Sequence, residues 1–288
     1  MPERPPENLA SALAERFSLP IADAEPVRGL GDECEIWRTG GHAVRVSPTF
    51  RSTDDLEWVY RTVARLAEFV PEVVVPLRDA DGRAVIEVAG NPVSVWPWID
   101  GQQLDREDPT ARRQAADLLA RLHTAASALS DPGPRPQPVA RCESCGHWDD
   151  LQDPTLDAAL AAVRRRPTRM PLHGDFYRRN LIRRDGAIAG LIDWDELRIH
   201  LPESELAWAT WEHSKNTTGD TLLPDRARDF LTAYEHRTGR PVDRDLIVPL
   251  IRDGLRLEIC RARATHTADD TYTAGQLHAF RELRDTAL

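Results

Sequence analysis

Residues 172–195 constrain this 288-residue chain more than any other stretch. Leu172-His173-Gly174-Asp175-Phe176-Tyr177-Arg178-Arg179-Asn180 is followed there by Ile192-Asp193-Trp194-Asp195, so an Asp, an Asn and a second Asp stand in fixed order. The text between Asn180 and Asp193 reads as two short apolar runs, 181–183 and 188–192, joined at Asp185-Gly186. Asp-Gly between apolar runs is the strongest short-range hairpin signal, because a two-residue turn needs positive φ at both central positions. A hairpin there predicts that the chain returns Asp193 beside Asn180. His-Gly-Asp alone would be an ordinary turn; the joint pattern carries the information.

Asp, Asn and Asp in this order suit phosphoryl transfer from a nucleotide. Protein kinases write their catalytic loop H-R-D-x-x-x-x-N, where the Asp takes the proton of the attacking hydroxyl and the Asn holds a magnesium ion. The Asp-to-Asn spacing is the same here, with Gly174 where the Arg would be. Mg2+ prefers hard oxygen ligands and completes its octahedron with waters and phosphates. Asn180 and Asp193 are therefore the expected metal ligands, and Asp175 the expected catalytic base.

These residues resemble the signature of the aminoglycoside phosphotransferase and choline kinase superfamily, His-Gly-Asp-x-x-x-x-Asn followed by Ile-Asp-Trp or Ile-Asp-Phe. Further pieces extend the likeness from about position 27 to 215. Leu118-Leu119-Ala120-Arg121-Leu122-His123 is similar to the helix before the catalytic region, and Val95-Trp96-Pro97-Trp98-Ile99-Asp100-Gly101 to the hinge between lobes. Leu201-Pro202-Glu203-Ser204-Glu205-Leu206-Ala207 is similar to the stretch after the metal Asp, although the family usually has Asp where Glu205 stands. The resemblance implies an α+β, protein-kinase-like, two-lobed fold. A small N-terminal antiparallel sheet plus helix, 1–97, would bind nucleotide; a larger, mainly helical C-terminal lobe, 98–288, would carry catalysis and the acceptor.

The family's phosphate lysine is matched by Arg45, which keeps the charge and offers a fork of donors. Either Arg45 clamps phosphate in its place, the reading favoured here, or it is a surface strand residue. Glu57 is the expected helix partner of Arg45, with Glu68 a weaker candidate, and a solvated carboxylate is the alternative for both. Gly29 and Gly31, in a strand-like stretch from Val27, are candidates for a glycine-containing turn over the triphosphate; an ordinary hairpin explains them as well. Backbone groups near Trp96 and Trp98 would face the base, ATP or GTP.

The remaining text sorts into elements. Strands are expected at 34–39 and 43–46 around Gly40-Gly41, then at 73–77, 84–88 and 93–96. Leu56, Val59, Tyr60, Val63, Leu66 and Ala67 recur at helical spacing behind Ser52-Thr53-Asp54-Asp55. From Pro109 onward the pattern is helical: one helix through Leu122, then roughly 155–165, 203–215, 225–237, 244–264 and 270–286. The proline-rich 131–138 reads as a loop and as the most flexible segment.

A net charge of −10 excludes a general nucleic-acid binder and is compatible with a cationic small substrate. No run of 18 apolar residues and no apolar leader core occur, so the expectation is a cytoplasmic protein with no membrane partner. Cys142-Glu143-Ser144-Cys145 with His147 is half a zinc site lacking its other half, and a reduced or incidental pair fits better. For the acceptor, the helices offer Glu212, Asp220, Asp253, Glu258, Asp269 and Asp270 for a polyamine, and Trp194, Trp208 and Trp211 for an aromatic cage. Each has a plain reading as solvated acid or core tryptophan.

The expected activity is a Mg2+-dependent O-phosphotransferase acting on a hydroxylated small molecule, with an aminoglycoside or other antibiotic as one acceptor class and resistance by modification as its consequence. The alternatives are a metabolic kinase for a sugar, amino alcohol or hydroxy amino acid, and a kinase-like protein that binds nucleotide without turnover.

Overall fold

The structure is a computed structural model that describes residues 7–20, 24–27, 34–129, 131–137, 148–264 and 271–288. In chain order the elements begin α1 (Glu7–Phe17), β1 (Glu25–Pro26), β2 (Glu35–Thr39), β3 (His42–Val46), α2 (Thr53–Ala67), β4 (Val85–Val88), β5 (Asn91–Pro97) and β6 (Gln102–Gln103). They continue α3 (Pro109–Ala128), α4 (Pro154–Arg164), β7 (Met170–Leu172), β8 (Leu181–Arg184), β9 (Ala187–Leu191), β10 (Arg198–His200), α5 (Pro202–Ser214), α6 (Pro224–Thr238), α7 (Ile247–Ala264) and α8 (Thr271–Glu282).

The chain divides into two compact units, but not by one cut near residue 97. The first comprises Met1–Gln102 together with Leu129–Pro138 and Ile182–Asp195; the second holds the rest.

In the first unit an antiparallel sheet runs β1-β2-β3-β5-β4. Leu9 and Leu13 of α1 pack with Trp37, Val44, Ile86, Val93 and Val95 to form its core. Helix α2 starts where Ser52 Oγ accepts the Asp55 N–H at 3.1 Å, and it buries Leu56, Val59, Tyr60, Val63 and Leu66 of the predicted face, with Ala67 partly buried. The hairpin of β8 and β9 turns at Asp185 and Gly186, with φ of 51° and 82°. That pair of left-handed residues is what its Asp-Gly sequence demanded. Segment 72–74 stitches the hairpin to the unit through Leu191 N–H to Glu72 O at 2.6 Å and Val74 N–H to Leu191 O at 3.1 Å.

The expected strand at 73–77 is not part of the sheet. Val73 makes an isolated parallel bridge to Leu191, and Leu77 N–H reaches Val95 O at 2.7 Å. Pro76, which has no N–H to donate, interrupts any continuous ladder there. The segment 131–137 also departs from expectation, because it is docked rather than loose. Arg135 forms an ion pair with Asp55 at 2.6 Å, both side chains at most 5% exposed, and Trp58 Nε1 donates to Pro132 O at 2.9 Å.

The second unit is mainly helical. Helix α3 packs on α6, α5 on α6 and α7, and α7 on α8. Among its described residues β7 pairs with β10 in antiparallel register, Leu172 opposite Arg198.

Candidate active site

In the second unit, β7 delivers the chain into His173-Gly174-Asp175. The pairing with β10 brings the Glu196 carbonyl against Gly174, whose φ is +88°. A Cβ at that position would lie 2.0 Å from Glu196 O. Only glycine fits, which explains why no arginine stands there. Asp175 N–H donates to His173 Nδ1 at 3.2 Å, and His173 is fully buried edge-on to Phe176.

Asn180 is buried, and its Nδ2 donates to Asp175 O at 2.9 Å and Oδ2 at 3.1 Å. The amide orients the carboxylate, and its own carbonyl oxygen is the atom available to a cation. Helix α5 steadies the loop from behind: Glu205 Oε1 accepts the Gly174 N–H at 2.6 Å, and Glu205 Oε2 lies 2.9 Å from His123 Nε2. His123 Nδ1 lies 2.9 Å from Tyr234 Oη. Burial alone would raise the Glu205 carboxyl, but the hydrogen bonds and charge of His123 hold it below the ordinary range. Glu205 thus fills its atypical position with a buried, hydrogen-bonded carboxylate, and His123 is a packed, hydrogen-bonded residue.

In the first unit, Asp193 follows the hairpin with φ +64°, a left-handed conformation that costs a non-glycine residue about 1–3 kcal/mol. Such strain is concentrated where a side chain must be aimed. Arg45 Nη2 lies 3.0 Å from Asp193 Oδ1 and 3.0 Å from Asp195 Oδ2. Burial works against the charge of Arg45, but Asp195 and Asp193 together raise its pKa well above the ordinary value. Tyr60 Oη donates to Asp195 Oδ1 at 3.2 Å, and Arg51 Nη1 to Asp195 O at 3.4 Å. Asp195, Tyr60 and Arg51 were given no role from sequence. Asp195 stood inside the motif, but nothing in spacing tells a metal ligand from its neighbour two residues on.

Glu57 is not the partner of Arg45. Its Oε1 accepts the N–H groups of Ala84 at 2.7 Å and Val85 at 2.8 Å, so it caps the start of β4. The helix face that meets Arg45's cluster carries Tyr60 instead. Gly29 and Gly31 lie outside the described residues, as do Cys142, Cys145, His147, Asp269 and Asp270.

Trp96 and Trp98 do not offer their backbones to a base. Trp98 N–H donates to Gly41 O at 2.8 Å, and in an antiparallel ladder alternate residues face alternate edges. Trp96 and Trp98 therefore point towards β3, and the carbonyl of Pro97 between them faces the opposite edge. The Trp96 ring is buried edge-on to Tyr60, and the Trp98 ring lies under the Arg38 guanidinium at 4.4 Å.

Most acceptor candidates have structural duties. Trp194 and Trp211 are fully buried, and Trp208 packs on Gly254, where a Cβ would come within 2.7 Å of its ring. Glu212 is buried against the sole lysine, Lys215, at 2.5 Å. Asp220 closes a turn with Asn216 and Thr218, and Asp253 pairs with Arg164 and Arg256. Glu258 remains: burial pushes its carboxyl up, Arg261 opposes, and Glu212 adds to the rise.

Asn180 and Asp193 are hard oxygen donors of the kind magnesium selects, and that donor chemistry fits the ion. Among the described residues no group of three His, Cys, Asp or Glu side chains could hold a metal by itself, and no helix is long and apolar enough to cross a membrane.

A sequence profile described as the phosphotransferase enzyme family matches residues 29–244. A homoserine kinase of Pseudomonas aeruginosa (strain LESB58) is 30% identical over 172 residues, 56% of this chain and 54% of that protein. The chain thus spans about half the length of that curated relative. An aminopropanol kinase associated with a microcompartment superposes with a TM-score of 0.73 at 16% identity, covering 95% of this chain and 96% of that one. An amicoumacin kinase in complex with AMP-PNP, Ca2+ and Ami superposes with a TM-score of 0.72 at 13% identity, covering 97% and 93%. These likenesses establish the α+β, protein-kinase-like fold.

Proposed function

The chain belongs to the phosphotransferase enzyme family, and from that membership we propose that it is a kinase transferring the γ-phosphoryl group of ATP or GTP to a hydroxyl of a small molecule. The observation that carries the reading is the pairing of Asn180 with Asp175, which holds a half-exposed carboxylate in a fixed orientation. Asp175 would accept the proton of the acceptor hydroxyl as it attacks phosphorus. Asn180 and Asp193 would hold a magnesium ion, which supplies charge neutralisation on the phosphate oxygens. Arg45 would meet phosphate with its guanidinium fork, and the Pro97 carbonyl is the backbone acceptor open to an amino group on the base.

For the acceptor we favour an amino alcohol or hydroxy amino acid over an antibiotic. The curated relatives that this chain matches are homoserine kinases. The test is nucleoside diphosphate release in the presence of Mg2+ across a panel of amino alcohols, hydroxy amino acids and aminoglycosides. Turnover with the first two classes supports the reading; turnover confined to aminoglycosides overturns the choice of acceptor.

A further inference from the structure

We infer that Asp195, held by Tyr60, positions Arg45 for a nucleotide phosphate, in place of the helix glutamate that the sequence led one to expect. The inference rests on the kinase reading above and concerns the first unit alone. One nitrogen of Arg45 sits 3.0 Å from both Asp193 and Asp195, yet the two carboxylates are not equivalent. The Asp193 side chain is 37% exposed, whereas that of Asp195 is 2% exposed. Asp193 can therefore exchange Arg45 for another cation, while Asp195 stays buried against the guanidinium.

Each oxygen of Asp195 has its own duty. Oδ1 accepts from Tyr60 Oη at 3.2 Å, and Oδ2 faces Arg45. Tyr60 is fully buried on α2, packed edge-on against Trp96, so the helix fixes the carboxylate through a rigid ring. Arg51 braces the same residue, with Nη1 on its backbone carbonyl and Nε 3.5 Å from Oδ2. Glu57, one turn earlier on α2, cannot share the task because its Oε1 holds two backbone N–H groups at β4. Arg45 Nε and Asp195 Oδ2 are both buried with no hydrogen-bond partner among the described residues, so the ion pair leaves a guanidinium donor unused.

Titration calorimetry of Mg·ATP and Mg·GTP tests this without relying on turnover. Asp195→Asn is expected to weaken binding of the accepted nucleotide roughly tenfold or more, the loss of one charge-assisted contact, and Tyr60→Phe about threefold. Glu57→Gln keeps an oxygen for β4 and should stay within about twofold of the wild type. In an Arg45→Gln background, Asp195→Asn should add nothing, because its effect passes through Arg45. Unchanged affinity in a folded Asp195→Asn protein, a loss in Glu57→Gln as large as in Asp195→Asn, or a full Asp195→Asn effect without Arg45 would each overturn the inference. Should Asp195→Asn fail to fold by circular dichroism, Tyr60→Phe decides, since it removes one hydroxyl only; unchanged affinity there overturns the inference too. A wild-type protein that binds neither nucleotide removes the kinase reading and this inference together, whereas normal wild-type binding with an indifferent Asp195 removes the inference alone.

Discussion

Gly174 fixes the candidate catalytic loop by what it lacks. Its φ of +88° and the Glu196 carbonyl 2.0 Å from any Cβ exclude every side chain. Gly174→Ala should therefore destabilise the protein by at least ~2 kcal/mol, read as a shift in the denaturant midpoint. A neutral effect would mean that the β7 to β10 register is wrong. At the same scale, the types Asp175, Asn180 and Asp193 were legible because phosphoryl-transfer chemistry restricts both residue and spacing. The pairing of Arg45 was not. Glu57 and Tyr60 lie one helical turn apart, and sequence cannot say which of them is taken up by a neighbouring strand's N–H groups.

Helix α2 and the segment 131–137 show the limit for elements. Periodicity gave α2 and the later helices closely, since each has an apolar stripe and most begin near a proline or an acidic first turn. Composition gave 131–137 as the loop that it is, but prolines signal irregular backbone and say nothing about docking. The Asp55 and Arg135 pair is what ties it down, and a buried pair broken on one side leaves an uncompensated charge. Arg135→Met should cost about 3 kcal/mol and open 131–137 to limited proteolysis. If stability and the digestion pattern are both unchanged, the segment is not anchored by Asp55.

For the molecule as a whole, one buried group links stability to pH. His213 is fully buried between Phe176 and Phe230, and burial, reinforced by Lys215 and nearby arginines, pushes its pKa down to about 3. The unfolded chain takes up this proton near 6.5 and the folded one only near 3. As pH falls through that window the unfolded state gains protons first, so stability present above 6.5 is progressively lost. At pH 5 about 2 kcal/mol of stability has been lost through this group, and His213→Leu should flatten the pH dependence of the denaturant midpoint by that amount. An identical slope in the variant would place the acid sensitivity elsewhere.

The assignment of 182–195 to the first unit was not legible in the sequence, because it depends on pairings with 72–74 that no local pattern announces. The central claim is that Asp175 moves a proton so that a small-molecule hydroxyl can take a phosphoryl group. Its most direct test is phosphorus NMR of ATP or GTP, Mg2+ and the hydroxyl panel with wild-type and Asp175→Asn proteins of equal nucleotide affinity. A new phosphomonoester signal that appears with an acceptor and slows by about a hundredfold or more in Asp175→Asn is the predicted result. Bound nucleotide with no phosphomonoester from any acceptor, or transfer indifferent to Asp175, would contradict the account.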